Sequence, residues 1–325
     1  MPEIQDDLKM SGCDFEVIPK DGMEQPDPQN REDFNYNAIG NVLTRTLDRI
    51  EDAHKTKLSG LPTGFDELDT LTSGFQPSDF VIIGSRPSVG KTTLALNMAA
   101  HIAIRERCPA AFFSLEMPDT AIAQRLISSE ALVEGEKMRK GSLTADELGK
   151  VNGVAKMMTD VPLFIVDKPA IKIFELRAMA RSLRSQKNVQ IIFIDYLGLI
   201  SHENNTMPRH EQMSEISRTL KSLAMELKIP IVVLCQLNRE MERSGRNQPP
   251  TLANIRDSGS IEQDADLVMF LHQKPPPENE EGEVAKGIPT ELIVAKHRNG
   301  LTGMIELLMQ PKYRRFVPLR QGGLS

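Results

Sequence analysis

The chain has 325 residues, 40% of them hydrophobic and 26% charged, enough for one large or two modest globular domains with a sizeable core. No stretch approaches the ~18 consecutive apolar residues of a membrane span, and the chain opens on acidic rather than basic and then apolar residues, so a soluble, intracellular protein with no membrane partner is expected. The net charge of −6 divides unevenly: residues 1–35 hold ten acidic and three basic side chains, net −7, while the remainder stands at net +1, which neither implies nor excludes a polyanionic partner.

Residues 1–35 combine Pro2, Pro19, Pro26 and Pro28 with scattered acids and little apolar periodicity, the pattern of a disordered acidic tail. Next, Ile39, Val42, Leu43, Leu47 and Ile50 recur at helical spacing and predict an amphipathic helix over about residues 36–53. Its apolar stripe needs a surface to cover, either on its own domain or on a neighbouring subunit. From Leu58 onward short β-rich runs alternate with helical segments. The runs are 80–84, 110–115, 163–166, 191–194, 231–234, 267–271 and 291–295, continuous in apolar character as for strands buried on both faces of a mostly parallel sheet. Helices are predicted at about 92–107, 118–133, 144–158, 171–186 and 208–228, so the class is α/β. Asn299-Gly300, between the last apolar run and Met304–Met309, predicts an antiparallel hairpin. Cys13, Cys108 and Cys235 are too far apart for a CxxC site and read as structural thiols. The six histidines form no ligand cluster, so no protein-bound zinc is expected.

The chemistry begins directly after the first strand, where Ser85, Arg86, Pro87, Ser88, Val89, Gly90, Lys91 and Thr92 lead into a helical pattern opening with Thr93. Strand, loop and helix in that order suit a phosphate-binding loop, because backbone N–H groups at a helix N-terminus attract anions and Gly90 lets the chain wrap closely. Lys91 can neutralise terminal phosphates and the Thr92 hydroxyl can coordinate Mg²⁺, which makes a phosphate-bearing ligand with Mg²⁺ the expectation. The usual first glycine of the loop is absent, since Ser85 holds its place. Asp195 ends a buried strand beside the crevice where open sheets bind ligands; it supports the metal shell or simply closes a strand. Glu116 ends another strand, and spacing alone leaves open whether it deprotonates an attacking water. Gln236, past the strand 231–234, reads equally as a γ-phosphate sensor or as a satisfied polar group. The stretch from Asn238 to Arg256 is a long basic loop, either solvated or lining a channel that holds a phosphate backbone. Lys296 and Arg298 sit at the tip of the hairpin with no evident use inside one subunit. They form an ordinary basic turn, or reach a neighbour's γ-phosphate.

Taken together, the motifs resemble those of the DnaB-type replicative hexameric helicases, specifically their C-terminal RecA-like motor domain. The matching strings are LPTGFDELD (61–69), SRPSVGKT (85–92), FFSLEMP (112–118), IIFIDYLGL (191–199), CQLNRE (235–240), RDSGSIEQDAD (256–266) and AKHRNG (295–300), in family order over about residues 36–317. Ser85 fits this resemblance, because the family's loop has the form RPSxGKT with a small residue before the arginine. The resemblance implies a RecA-like P-loop fold with a C-terminal β-hairpin, divided into an acidic tail (1–35), a linker helix docking on the next subunit (36–57) and a motor domain (58–325). It implies Glu116 as catalytic base, Gln236 as γ-phosphate sensor, Arg125 near the nucleotide, and Lys296 with Arg298 as a pair acting on the adjacent subunit's nucleotide. Arg256, Asp257 and Gly259 fall on the loop that grips single-stranded DNA, with Asp257 in place of the more usual glutamate. The implied activity is ATP-driven unwinding of forked duplex DNA by a homohexamer moving 5′ to 3′, in the cytoplasm of a bacterial or phage-infected cell, with a helicase loader and primase as further partners. Family members carry a large N-terminal helical domain before the linker helix, where this chain has its acidic stretch; a short phage-like helicase, or an engineered or processed motor, is therefore expected. Two rival readings are a RecA-like recombinase filament and a nucleotide-switched ring that acts on protein partners without DNA.

Overall fold

The computed structural model describes residues 38–56, 58–204, 206–237, 248–255, 259–274 and 287–319. The acidic tail, Cys13, most of the basic loop, Arg256 and Asp257 lie outside them. The chain divides into two units, Met1–Arg49 and Ile50–Ser325. The first is described only from residue 38, as the opening turns of helix α1 (Ile39–Thr56). That helix ends three residues beyond the predicted stop, and its stripe of Ile39, Val42, Leu43, Leu47 and Ile50 is exposed.

The second unit is built on a mixed sheet. Its parallel part comprises β1 (Phe80–Ser85), β2 (Ala110–Ser114), β3 (Leu163–Asp167), β4 (Ile191–Asp195), β5 (Ile231–Gln236) and β6 (Leu267–Gln273). An antiparallel extension follows, β7 (Ile288–His297), β8 (Gly303–Gln310) and β9 (Arg315–Pro318), giving the order β3-β2-β4-β5-β1-β6-β7-β8-β9. The helices are α2 (Asp66–Thr72), α3 (Lys91–Ala100, continued by a π-helical turn over His101–Arg105), α4 (Asp119–Ala131), α5 (Gly135–Lys140), α6 (Ala145–Met158), α7 (Ile173–Lys187), α8 (Arg209–Leu227) and α9 (Gly259–Asp264). Each predicted run and helix falls within a few residues of an observed element. The short α2, α5 and α9 and the last strand were not predicted.

The reason for the continuous apolar runs is visible in the packing. β1, β2 and β4 are buried throughout, and residues of alternate parity feed two cores, one on each face of the sheet. Phe75, Phe112 and Phe193 pack on the face covered by α3, with Phe112 stacked on Phe193 at 6.2 Å. Phe80, Phe113 and Phe270 lie on the other, against Ile216 and Leu220 of α8. The expectation of continuous burial fails for 163–166, since β3 is the edge strand and half-exposed along that run, and for the run 291–295. There β7 alternates, with Thr290, Leu292 and Val294 buried and the residues between them half-exposed, and β8 does the same at Ile305, Leu307 and Met309. An antiparallel sheet covered on one face needs an apolar side chain only at every second position. The predicted hairpin about Asn299-Gly300 is the β7–β8 pair.

Candidate nucleotide site

The loop between β1 and α3 occupies the carboxyl edge of the parallel strands, where their side chains and helix N-termini converge. Gly90 adopts φ 108, and a Cβ there would stand 3.1 Å from the Phe316 ring, so both backbone angle and space demand glycine. Gln273 of β6 steadies the loop by donating from Nε2 to the Val89 carbonyl at 3.2 Å. Ser85 is a strand residue rather than a loop residue. It is fully buried as the last position of β1, paired with Gln236 and Leu271, and its hydroxyl donates to the Arg86 carbonyl. The glycine before it is needed inside the strand, because a Cβ at Gly84 would meet the Phe270 ring at 2.8 Å.

Beyond the loop opens a cavity of about 440 Å³, lined by Pro87, Ser88, Gly90, Lys91, Thr92, Thr93, Glu116, Arg125 and Gln236. The structure therefore gathers residues from β1–α3, β2, α4 and β5 that are scattered over the sequence. Ser85, Arg86 and Val89 stand outside this lining; the backbone of the last two continues the loop. Asp195 lies beneath the cavity, its side chain 1% exposed. Lys91 Nζ donates to Asp195 Oδ1 at 2.9 Å and Thr92 Oγ1 donates to Oδ2 at 2.6 Å. Glu116 is 3.8 Å from Lys91 and its side chain is 54% exposed. A carboxylate held at arm's length from a lysine and open to water is free to take a proton from a ligand-bound water.

Arg125 enters from α4. Burial, and then the Arg314 guanidinium beside it, pull Arg125 down from its ordinary value, while Asp195 and Glu116 oppose the shift. Arg314, Met117 and Met309 complete the lining and were missed by sequence reasoning. The signal for Arg314 was the basic run Lys312, Arg314, Arg315 after the last predicted strand, which gave no reason to connect it with the loop. Behind the cavity the Cys235 thiol is pushed up to about 11 by burial, so it stays neutral as a structural thiol.

The donor set suits a nucleoside triphosphate with a divalent ion. Thr92 and Asp195 place a hydroxyl and a carboxylate together, the hard oxygen ligands that Mg²⁺ prefers, next to a lysine and the N–H groups opening α3.

Lys296 and Arg298 lie elsewhere. β7 runs antiparallel to β6, so His297 faces Leu267, which in turn faces Val81 at the start of β1. The two cations therefore stand at the amino edge of the sheet, one six-residue strand away from the phosphate loop, or about 20 Å at ~3.3 Å per residue. The expectation that they have no use inside the subunit is corrected. Lys296 Nζ donates to the carbonyls of Glu262 at 2.5 Å and Ala265 at 2.7 Å, satisfying the end of α9, where helix carbonyls lack partners. Arg298 donates to Asp266 Oδ1 and to the Gln263 carbonyl, both at 3.2 Å. Asp266 also receives Lys221 Nζ at 2.6 Å and the Phe80 N–H at 2.8 Å. Next to this cluster burial, then the charge of Asp266, lifts Asp79 to about 6. Of the expected DNA contacts, only Gly259 is described, as the first residue of α9.

A family model for the DnaB-like helicase C-terminal domain matches residues 60–318. The chain is 48% identical over 284 residues to the replicative DNA helicase DnaB of Treponema pallidum, covering 87% of this chain and 62% of that protein. Among solved structures, the ATPase domain of G40P superposes with a TM-score of 0.80 at 31% identity, covering 88% of this chain and 100% of its own. A DnaB-like replicative helicase, described together with its interactions with primase, gives 0.76 at 31% identity over 88% of this chain and 68% of that one. The chain thus spans about three fifths of the length of the curated relatives it matches.

Proposed function

The chain belongs to the DnaB-like helicase C-terminal domain family, and from that premise we propose that it is the motor of an ATP-dependent replicative DNA helicase. ATP is hydrolysed between subunits of a homohexameric ring, which moves 5′ to 3′ along single-stranded DNA and opens the forked duplex. The observation that carries this reading is the split between the two sheet edges. Lys91, Thr92, Asp195, Glu116, Gln236 and Arg125 meet around one cavity, whereas Lys296 and Arg298 lie at the other edge, beyond reach of their own subunit's phosphates.

Lys91 and the loop N–H groups hold the β- and γ-phosphates, and Arg125 adds positive charge on the open side. Thr92 and Asp195 are the residues that would hold Mg²⁺, which would neutralise phosphate oxygens. Glu116 orients the attacking water and accepts its proton as the new P–O bond forms and the bond to the β-phosphate oxygen breaks. Gln236 hydrogen-bonds the γ-phosphate and, as the last residue of β5, passes its presence to the stretch that follows. Charge developing in transfer is then stabilised from the next subunit by Arg298, a role that a fixed guanidinium suits, with Lys296 adding its charge from its seat on α9. Arg256, Asp257 and Gly259 contact the DNA backbone. The stripe of α1 docks on a neighbouring subunit, with the segment 36–57 as linker and 58–325 as motor. A loader and primase are further partners, and the cytoplasm is the site of action; among the described residues no helix is long and apolar enough to cross a membrane.

The test is Mg²⁺-dependent ATP hydrolysis with and without single-stranded DNA, with Lys91→Ala as the blank. DNA stimulates the wild type and the variant is inactive. Hydrolysis indifferent to DNA turns the reading toward a ring that acts on protein partners, and full hydrolysis by Lys91→Ala overturns the phosphate-loop assignment itself.

A further inference from the structure

Lys296 and Arg298 are held by the same short helix end, yet not equally. The Lys296 ammonium is enclosed by carbonyls of Glu262, Gln263 and Ala265. Arg298 makes two longer contacts and half of its side chain is exposed, 50%. Asp266 is buried, and its oxygens are divided: Oδ1 serves Arg298, while Oδ2 serves Lys221 and the Phe80 N–H. This division matters, because removing a sole partner from a buried charge is costly. Asp266 keeps Lys221 and a backbone donor when Arg298 leaves, and α9 keeps Lys296. The departure of Arg298 takes one partner, at Oδ1, from a carboxylate whose Oδ2 stays paired, whereas the departure of Lys296 strips the carbonyls of Glu262 and Ala265 together.

We propose that Asp266 is a positioning residue for Arg298, a latch that keeps the guanidinium within its own subunit until a nucleotide in the adjacent site competes for it, while Lys296 remains on α9. The inference rests on the reading above in which Arg298 acts across the subunit boundary. It divides the work of the two cations: Lys296 fixes the helix, and Arg298 exchanges one anion for another. Both of its positions are charge-assisted hydrogen bonds, so the nucleotide shifts the balance by differential affinity without creating a new state. α9 begins at Gly259, two residues after Asp257 in the sequence, and the latch closes on its other end. DNA and the adjacent nucleotide therefore act on opposite ends of one six-residue helix.

The experiment uses the full chain and compares steady-state ATP hydrolysis with and without single-stranded DNA for two variants. Asp266→Asn weakens the hold on Arg298, so kcat without DNA rises about 5-fold, the lower end of ordinary coupling between sites, while KM for ATP stays put. The stimulation by DNA shrinks correspondingly. Lys221→Met leaves the whole Asp266 charge to Arg298, and kcat without DNA falls. Opposite signs are the signature of a latch, since purely structural damage at this cluster lowers activity in both. Should Asp266→Asn not fold, the fall in Lys221→Met with a retained DNA-stimulated rate is the deciding result. Unchanged kcat and unchanged stimulation in the folded variants overturn the latch. Arg298→Ala separates the two layers: if it hydrolyses ATP as the wild type does, the trans-acting reading fails; if it is inactive while the latch variants match the wild type, only the latch fails.

Discussion

The two edges of the sheet use the same ingredients, lysine, arginine and aspartate, to opposite ends. At the carboxyl edge Lys91 and Thr92 share Asp195 beneath an open cavity, and Glu116 and Arg125 face the same space. At the amino edge Lys221 and Arg298 share the Asp266 carboxylate, and Lys296 is wrapped in carbonyls. A charge cluster that leaves groups facing a cavity next to helix N–H donors is built for an anionic ligand. One that satisfies itself holds structure together until a competing anion arrives. Residue type does not distinguish the two; the direction in which the strands run does.

The comparison can be sharpened first at Glu116. Glu116→Gln keeps shape and hydrogen bonding but cannot accept a proton, so kcat falls about 100-fold or more while nucleotide binding persists. Equal losses in binding and kcat, measured by nucleotide titration beside turnover, break the base assignment. Second, Lys296→Met removes an ammonium from the end of α9 and costs about 2 kcal/mol of stability. Arg298→Met, half-exposed, costs well under 1 kcal/mol. Thermal unfolding of the pair tests this: equal shifts in Tm contradict the division between anchor and mobile group. Third, Gly90→Ala forces a side chain onto φ 108 against Phe316 and costs about 1–2 kcal/mol, together with weaker nucleotide binding. An unchanged Tm there means the loop relaxes freely.

The last and smallest gain in stability belongs to Asp79. Its carboxyl sits at about 6 in the fold against an ordinary value of 3.8, so the native state holds its proton more tightly than the unfolded chain. Stability therefore falls as pH rises from about 4 through 6, and the penalty is absent below and complete above that window. Asp79→Asn should raise stability by about 1 kcal/mol at pH 7.5, after allowance for the water that still reaches this half-buried group, and change nothing at pH 4. Chemical denaturation at the two pH values checks it, and a gain at both would assign the effect to something other than charge.

Much of the carboxyl edge was legible in the sequence. The loop 85–92, Asp195 at the end of a buried run and Glu116 at the end of another follow from local rules, because parallel strands buried on both faces must be continuously apolar and their ends must meet a crevice. Ser85 was misplaced by a residue, since strand pairing with Gln236 and Leu271 extends β1 through it. Arg314 was invisible for a different reason. It reaches the cavity only because β8 and β9 fold back beside α3, where Asn97 binds the Phe316 N–H at 2.8 Å.

By itself the sequence determined the α/β class, the order of strands and helices, the phosphate loop and the family, all of which reside in short strings and in periodicity along the chain. Only the tertiary structure decided which charges are free and which are satisfied. In the sequence Lys296 and Arg298 had no partner inside their own subunit; strand register set them against α9 and Asp266, a partnership between segments about 30 residues apart. Local pattern encodes what a residue can do, and long-range pairing of strands settles which partner it meets.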